Sequence, residues 1–258
     1  MGKAKARQMR VRCQEIAELM SGTEENDEKM HKYCEQLMAH SRGPRCLGCW
    51  LMEENCMCEA SLCVDNATKV VVHIHHGEWA RSSNTGISIH RTLKNSELCL
   101  KGHKEHQARL QEIYNDPDMV KCVLWPGETA LTVSEFKKSV EESGGKGVVV
   151  LVPDGSFRGA RKMASKYPQE FPRVKLSPMS VLEGKKVCLM GPVRKYGGSE
   201  EETGRVSTLE AVAAFLTEMG ESEKVAEALK HNMRLKMDMV LKQKHRPMVY
   251  GTVQGSKT

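Results

Sequence analysis

The sequence predicts an α/β domain built on a largely parallel β-sheet. Short apolar runs that suit buried strands alternate along the chain with segments whose apolar residues have helical spacing. The clearest strand is the valine-rich run 148–152, which is apolar at every position and therefore suits a strand buried on both faces. At 258 residues, the chain has room for one such domain and a smaller unit.

The elements follow in a regular order. Strands are predicted at 70–75, 120–125, 148–152 and 186–190. Helices are predicted over 132–142, in the basic segment after Ser156, over 206–219 and over 221–246. Between them, 95–118 is charged and weakly helical, and 164–181 is a proline-rich connector.

Four of the ten cysteines form a pattern typical of a structural zinc site. Two residues separate Cys46 from Cys49, one separates Cys56 from Cys58, and six lie between the pairs. Four thiolates complete a tetrahedron and leave no open position, so we predict that the ion stabilises the fold. An iron–sulfur cluster and four reduced thiols in a loop are the alternatives, and the nearby Cys63 breaks the paired pattern.

These boundaries divide the chain into four parts: a helical N-terminal extension at 1–40, a zinc module at 41–65, the α/β domain with its C-terminal helix at 66–246, and a flexible tail at 247–258. No stretch approaches the roughly 20 apolar residues that span a membrane. The basic N-terminal segment lacks the apolar core of a secretion signal. We therefore expect an intracellular protein that does not bind membranes, with the cytoplasm favoured over an organelle or the nucleus, and with reduced cysteines.

The formal net charge is +6, and basic residues concentrate at 1–12, 158–175 and 224–246. This distribution suits an anionic partner such as RNA, and it suits a solvated surface equally well.

Three predicted strands end in loops that suit close approach to a ligand: Trp125-Pro126-Gly127-Glu128, Asp154-Gly155-Ser156 and Met190-Gly191-Pro192. The carboxyl ends of parallel strands share one edge of a sheet, where ligands bind. Gly155 permits close backbone approach, and Ser156 can cap the helix that follows. An ordinary capped turn explains the same residues.

A fourth candidate segment is 204–211. Ser207 and Glu210 have the spacing of a capping box, which by itself accounts for both residues. Arg205 lies just before the predicted helix, where the helix dipole repels cations. An anionic ligand, such as a carboxylate or an RNA phosphate, is a better explanation of Arg205 than capping.

Together these features resemble the DTW-domain family of tRNA-uridine aminocarboxypropyltransferases. The resemblance covers about 42–220 and includes the cysteine module and the Pro126-Gly127 loop. Its other motifs are His75-x-x-Glu78-x-x-Arg81-x-x-Asn84-Thr85, Asp154-Gly155-Ser156-Phe157 and Ser207-Thr208-Leu209-Glu210-Ala211. The chain departs from the family's Asp-x-Thr-Trp at Ser156 and Phe157, which keep a hydroxyl and an aromatic ring but lose the indole N–H donor.

The resemblance implies a SPOUT-like fold with a knotted cofactor-binding edge, which would be an exception to the rule that chains avoid threading. It also implies S-adenosylmethionine as the donor of a 3-amino-3-carboxypropyl group. The implied acceptor is the ring nitrogen N3 of a tRNA uridine, and the implied by-product is methylthioadenosine. The α/β domain at 66–246 would then be catalytic, with tRNA as its partner and no obligate protein partner readable from the sequence.

In that reaction Asp154 is the candidate general base, or the group that orients the cofactor amine. The candidate cofactor-binding residues are Leu124, Pro126, Gly127, Gly155, Ser156, Gly191, Arg205, Ser207, Thr208 and Glu210. The candidate RNA-binding residues are Arg81, Arg158, Arg161 and Lys162, although exposed charges of this kind commonly face solvent alone. Two other functions are alternatives. An S-adenosylmethionine-dependent RNA methyltransferase of SPOUT type would have similar loops, and only the Asp154 and Ser207–Ala211 motifs argue against it. A non-enzymatic zinc-dependent RNA-binding protein leaves the three ligand-ready strand ends unexplained.

Overall fold

The structure is a computed structural model, and it describes residues 24–40, 44–144, 146–178, 188–193 and 206–252. Its centre is a six-stranded sheet with the order β2-β1-β5-β3-β6-β4, in which every pair of neighbours is parallel. The strands are β1 (Lys69–Ile74), β2 (Ser96–Leu100), β3 (Met119–Leu124), β4 (Leu131–Thr132), β5 (Gly147–Asp154) and β6 (Arg173–Lys175). The predicted α/β fold is confirmed, and the arrangement is compatible with a SPOUT-like fold.

Helices cover both faces of the sheet: α1 (Glu24–His40), α2 (Gly86–Thr92), α3 (Lys104–Asn115), α4 (Val133–Glu142), α5 (Phe157–Ala164), α6 (Thr208–Met219) and α7 (Glu223–Gln243). On one face α2, α4, α6 and α7 share a core with Val150 and Val152 of β5. On the other face α3 packs against Val149 and Leu151. Successive side chains of a strand point to opposite faces, so a strand covered on both sides must be apolar throughout. The valine run of β5 satisfies this requirement.

Three strands were not predicted, namely β2, β4 and β6. β2 lies at the edge of the sheet and contains Glu97, which forms ion pairs with Lys69 and Arg109. β4 has two residues and β6 has three, and β6 lies within the segment predicted to be a connector. Such short strands carry no apolar run, and pairing with their neighbours stabilises them instead.

The strand predicted at 186–190 is not observed. Residues 186 and 187 lie outside the described residues, and 188–190 form a turn before a 3-10 helix at Gly191–Val193. The knotted cofactor-binding edge that the resemblance implies remains a prediction. Among the described residues, no helix is long and apolar enough to cross a membrane.

The C-terminal helix α7 connects the cysteine module to the sheet. Cys49, Trp50 and Leu51 are buried in the same core as α6 and α7. The side-chain amide of Asn232 accepts a hydrogen bond from the backbone N–H of Leu62 (2.8 Å) and donates one to the Leu62 carbonyl (2.7 Å). The four-part division of the chain remains a prediction, but the module and the sheet share one core.

Part of the segment predicted to be a flexible tail has fixed contacts. The carboxylate of Asp238 accepts hydrogen bonds from the backbone N–H groups of Val249 (2.9 Å), Tyr250 (2.8 Å) and Thr252 (3.0 Å). The Tyr250 hydroxyl also donates to the carbonyl of Leu189 at 2.8 Å. These bonds hold 249–252 against α7 and the turn at 188–190.

Candidate active site and metal centre

The four cysteines of the predicted zinc site converge. The Sγ atoms of Cys46, Cys49, Cys56 and Cys58 all lie within 4.8 Å of one another. The Cys46–Cys58 and Cys49–Cys56 pairs are 3.5 Å and 3.9 Å apart. Tetrahedral zinc with bonds of about 2.3 Å requires sulfur atoms about 3.8 Å apart, so the four thiols fit the ion. Cys63 is exposed and does not belong to the cluster.

Backbone amides stabilise one thiolate of the cluster, that of Cys46, whereas burial raises the pKa of Cys56 and of Cys58. Burial raises the pKa of Cys46, but hydrogen bonds from Cys56, Cys58 and the backbone amides of Gly48 and Cys49 outweigh burial and lower that pKa to about 7. A Cβ atom at Gly48 would lie 3.0 Å from the Cys58 Sγ, so the loop approaches the opposite thiol closely. Backbone amides that stabilise thiolates are typical of metal-binding cysteine loops.

A buried lysine lies between the cysteine cluster and the sheet edge. Lys236 of α7 is fully buried, and its Nζ donates to the Cys49 carbonyl at 2.9 Å. Burial lowers the pKa of Lys236 to about 7, and the negative charges of Cys49, Asp154 and Cys58 oppose that shift. This lysine was not predicted as a site residue. The sequence does carry a sign of its burial. Lys236 and Asn232 have the helical spacing that places them on the apolar face of α7, with Met233 and Val240.

At the carboxyl edge of the sheet, a cavity of about 620 Å³ lies beside β5, β3 and β6; we call it the Asp154 cavity. This volume is within the range of small-molecule sites. Its apolar wall contains Leu124, Val152, Val174, Leu176 and Met190. Its charged residues, among those described, are Glu78, Asp154 and Lys175.

Asp154 ends β5, and residues from two distant segments hold its side chain. Its Oδ2 accepts a hydrogen bond from the Asn84 amide at 2.6 Å, and its Oδ1 accepts one from the Thr208 hydroxyl at 2.6 Å. The Asn84 side-chain oxygen accepts from the backbone N–H of Ile87 at 3.0 Å, which fixes the orientation of the amide. A Cβ atom at Gly86 would lie 2.8 Å from Oδ2, so only glycine allows α2 to approach this closely.

The electrostatics of the cavity favour a positively charged ligand near Asp154. Burial raises the pKa of Asp154, while the hydrogen bonds from Thr208 and Asn84 and the charge of Lys236 oppose the shift. Burial also raises the pKa of Glu78, and the charge of Asp154 adds to that shift. Arg81 forms an ion pair with Glu78 at 2.8 Å. A cation in the cavity would relieve the repulsion between the two carboxylates.

The helix that supplies Thr208 begins with a complete capping box. The Ser207 hydroxyl accepts from the backbone N–H of Glu210, and the Glu210 carboxylate accepts from the backbone N–H of Ser207 at 3.0 Å. Glu210 also accepts from the backbone N–H of Leu189 at 2.9 Å. Its carboxylate is therefore occupied in positioning the chain rather than in lining the cavity.

Two aromatic rings line the cavity next to a basic helix. The rings of Trp125 and Phe157 have centroids 5.6 Å apart and planes tilted by 30°. Phe157 is 54% exposed. The exposed side chains of Arg158, Arg161 and Lys162 follow on α5.

A family model for the DTW domain matches residues 43–241. The chain belongs to the DTW domain family. The match covers the cysteine cluster, the whole sheet and nearly all of α7 of this DTW chain, while α1 and the 249–252 segment lie outside it. The family is associated with tRNA-modifying activity, and tRNA is the substrate that membership indicates. No curated protein and no solved structure matches the chain.

The predicted catalytic and cofactor-binding residues of this DTW chain fall into three groups according to where they lie. Those that line the Asp154 cavity are Leu124, Pro126, Asp154, Gly155, Ser207 and Thr208. Those outside its described lining are Gly127, Ser156, Gly191 and Glu210. Ser156 instead caps α5 by accepting from the backbone N–H of Gly159 at 3.2 Å. Arg205 lies outside the described residues. The lining also contains residues that were not predicted as cofactor-binding or catalytic groups, among them Glu78, Asn84, Trp125, Phe157 and Lys175.

Proposed function

We propose that the chain transfers the 3-amino-3-carboxypropyl group of S-adenosylmethionine to N3 of a tRNA uridine. The observation that carries the proposal is the carboxylate of Asp154, which hydrogen bonds from Asn84 and Thr208 hold in a cavity of ligand size. The chain's membership in a family associated with tRNA modification supports the choice of substrate. The nine free cysteines of the described residues support a reducing, intracellular compartment.

The lining of the Asp154 cavity fits the donor. The apolar wall suits an adenine ring, and the two carboxylates suit the positive charges of a sulfonium and an ammonium group. Lys175, at the end of β6, supplies a positive charge for the donor carboxylate, and Arg205 is the second candidate for that contact. The zinc ion, held by the four cysteines, would stabilise the module and takes no part in the transfer.

Asp154 acts as the general base. N3 of uridine is mostly protonated at neutral pH, and a carboxylate whose pKa is raised by burial is a stronger proton acceptor than one in water. N3 forms a bond to the carbon next to the sulfonium, and its proton passes to Asp154. The carbon–sulfur bond breaks with its electron pair on sulfur, and methylthioadenosine leaves as a neutral thioether. Asn84 and Thr208 keep the carboxylate aligned for this step.

The acceptor base stacks on the aromatic pair at the cavity. Stacking on aromatic rings is a common way for proteins to hold an unpaired base, and Trp125 and Phe157 line the same cavity as Asp154. The exposed cations Arg81, Arg158, Arg161 and Lys162 supply charges for the RNA backbone nearby. In this arrangement S-adenosylmethionine occupies the inside of the cavity, and the uridine ring stacks on Phe157.

Labelled S-adenosylmethionine tests the proposed reaction. The purified protein is incubated with unmodified tRNA and with donor that carries label either at the carboxyl carbon or at the methyl group. We expect the carboxyl label to enter tRNA and the methyl label to stay out. Methyl label in the tRNA would show a methyltransferase instead. Neither label in a competent tRNA pool, together with tight RNA binding, would show a non-enzymatic RNA-binding protein.

Replacement of Phe157 tests the stacking role. Base stacking on an aromatic side chain is worth about 1–3 kcal/mol, so Phe157→Leu should lower kcat/KM for tRNA by roughly 5- to 160-fold. Because Phe157 is exposed, the melting temperature and the affinity for S-adenosylmethionine should not change. Phe157→Trp keeps an aromatic ring at this position and serves as the matched control. Equal kcat/KM for the leucine and tryptophan variants would contradict the stacking role.

A further inference from the structure

A second cavity lies on the opposite face of the sheet from Asp154. It has a volume of about 470 Å³ and lies beside the carboxyl end of β1, between α1, α3 and the segment after α5; we call it the Lys101 cavity. Its polar lining includes His73, Lys101, Gln107, Gln111 and Lys166. None of them is required by the proposed reaction.

Positive charge accumulates at this cavity without a matching negative charge. Lys101 and Lys166 line it, and Lys162 lies close enough to act on Lys101. Burial lowers the pKa of Lys101, and the charges of Lys166 and Lys162 lower it further. Among the described residues, none of these three lysines forms an ion pair. Asp27 is the acidic residue of the described lining, and it is exposed. A half-buried cation beside two others is unfavourable unless an anion offsets it.

One residue of the cavity lining carries an unsatisfied hydrogen-bonding group. His73 Nδ1 lies 2.9 Å from the Tyr167 hydroxyl, while His73 Nε2 is buried and has no partner among the described residues. Burial lowers the pKa of His73 to about 3, so its ring is neutral at physiological pH. When the Tyr167 hydroxyl donates to Nδ1, the ring proton is on Nε2, which then becomes a donor without an acceptor. Buried polar groups of this kind normally have a partner.

We propose that the Lys101 cavity binds a phosphate group of the RNA substrate, with Lys101 and Lys166 supplying charge and His73 Nε2 donating a hydrogen bond. Phosphate oxygens satisfy both requirements at once, since they carry negative charge and accept hydrogen bonds. The two glutamines of α3 suit the adjoining sugar or base. The identification of RNA as the source of the phosphate rests on the proposed function.

Helix α5 connects this site with the Asp154 cavity. Phe157 at its start lines the Asp154 cavity, and Met163, near its end, lines the Lys101 cavity. Arg158, Arg161 and Lys162 are exposed between these two positions. A strand of RNA that places a base at Phe157 can therefore follow a basic helix face to the second site. Nucleotides some distance from the modified uridine would then contribute to recognition.

The test is equilibrium binding of an unmodified tRNA transcript to the zinc-loaded full chain, without S-adenosylmethionine, over a range of salt concentrations. Lys101→Met removes the charge and keeps the length of the side chain, and Lys166→Met is the exposed second variant in case the first misfolds. Each variant should bind tRNA about tenfold more weakly than the wild type. The slope of log K against log salt concentration should become less steep by about one, which corresponds to the loss of one phosphate contact. The control is Lys138→Met, an exposed lysine of α4 on the other face of the sheet. It should bind like the wild type.

A second measurement identifies the source of the phosphate. Inorganic phosphate should raise the melting temperature of the wild type more than that of Lys101→Met. If phosphate does so but both proteins bind tRNA equally, the site takes a free phosphate compound and not RNA. Equal tRNA affinity, equal salt slope and no effect of phosphate would overturn the proposal. Because neither measurement includes the donor, failure of aminocarboxypropyl transfer would leave this result unchanged.

Discussion

The Asp154→Asn variant should bind tRNA like the wild type and S-adenosylmethionine more weakly, and at saturating donor it should lose transfer activity by about 100-fold or more, the range expected for loss of a general base. The substitution keeps the size of the side chain and removes its ability to accept a proton from N3. The new amide oxygen can still accept from Asn84, and the Thr208 hydroxyl can rotate to accept from the new amide N–H. The measurement is single-turnover transfer with saturating donor and tRNA.

The same substitution should not destabilise the fold. Burial raises the pKa of Asp154 above its value in the unfolded chain, so the folded protein binds this proton more tightly than the unfolded one. Stability from this group is therefore greatest at low pH and falls as the pH rises through the raised pKa. Asparagine resembles the protonated form, so the melting temperature at neutral pH should be equal or higher.

Asp118→Asn is the matched control for that variant. Asp118 is exposed just before β3, at the opposite edge of the sheet, and its substitution should leave transfer unchanged. Transfer by Asp154→Asn within about threefold of the wild type would contradict the general-base role, because such a role accounts for a far larger effect. Complete loss of S-adenosylmethionine binding in Asp154→Asn would instead show that Asp154 binds and orients the amine of that donor.

The sheet shows which elements are readable from sequence and which depend on the rest of the fold. β1, β3 and β5 carry apolar runs because they are covered on both faces, and such runs are visible locally. β4 and β6 are too short for a pattern, and charged Glu97 interrupts β2. These strands form because each pairs with a neighbour that is already in the sheet: β2 with β1, β6 with β3, and β4 with β6.

In the candidate site, too, some residues can be predicted from the sequence, but their contacts depend on the folded chain. Asp154 and Thr208 could be selected from motifs, but the sequence does not show that a hydrogen bond joins them across 54 positions. Asn84 comes from a third segment, 70 positions before Asp154. Lys236 was overlooked because lysines of a long helix usually face solvent. Here the apolar face of α7 carries it beneath the cysteine cluster, where it contacts the Cys49 carbonyl.

Removal of the metal should destabilise the entire chain and not the cysteine module alone. Cys49, Trp50 and Leu51 are buried in the core that α6 and α7 share with the sheet. Lys236 Nζ donates to Cys49, and the Gln243 side chain accepts from the backbone N–H of Met52 at 3.0 Å. A module held in this way cannot unfold without exposing one side of α7. Metal loss thus acts on the same cooperative unit as the sheet.

Cys46→Ser tests this expectation, because it removes one ligand of the cluster at a partly exposed position. We expect about one zinc per chain in the wild type and little in the variant. Loss of a structural metal costs several kcal/mol, and a loss of about 3–5 kcal/mol lowers the melting temperature by roughly 10 °C in a chain of this size. Cys63→Ser, also a thiol of the same segment but outside the cluster, is the matched control and should keep both the metal and the melting temperature.

Two outcomes would change the interpretation of the cluster. Iron and acid-labile sulfide in place of zinc would show an iron–sulfur cluster with the same four ligands. Equal melting temperatures for Cys46→Ser and Cys63→Ser would show that the thiols are not a metal site. If the prediction holds, chelation should also abolish the burial of Lys236, because the Cys49 carbonyl that accepts its hydrogen bond belongs to the metal-bound loop. The zinc module then stabilises α7, which shares a core with the helix α6 that supplies Thr208, and metal content and catalytic competence should be lost together.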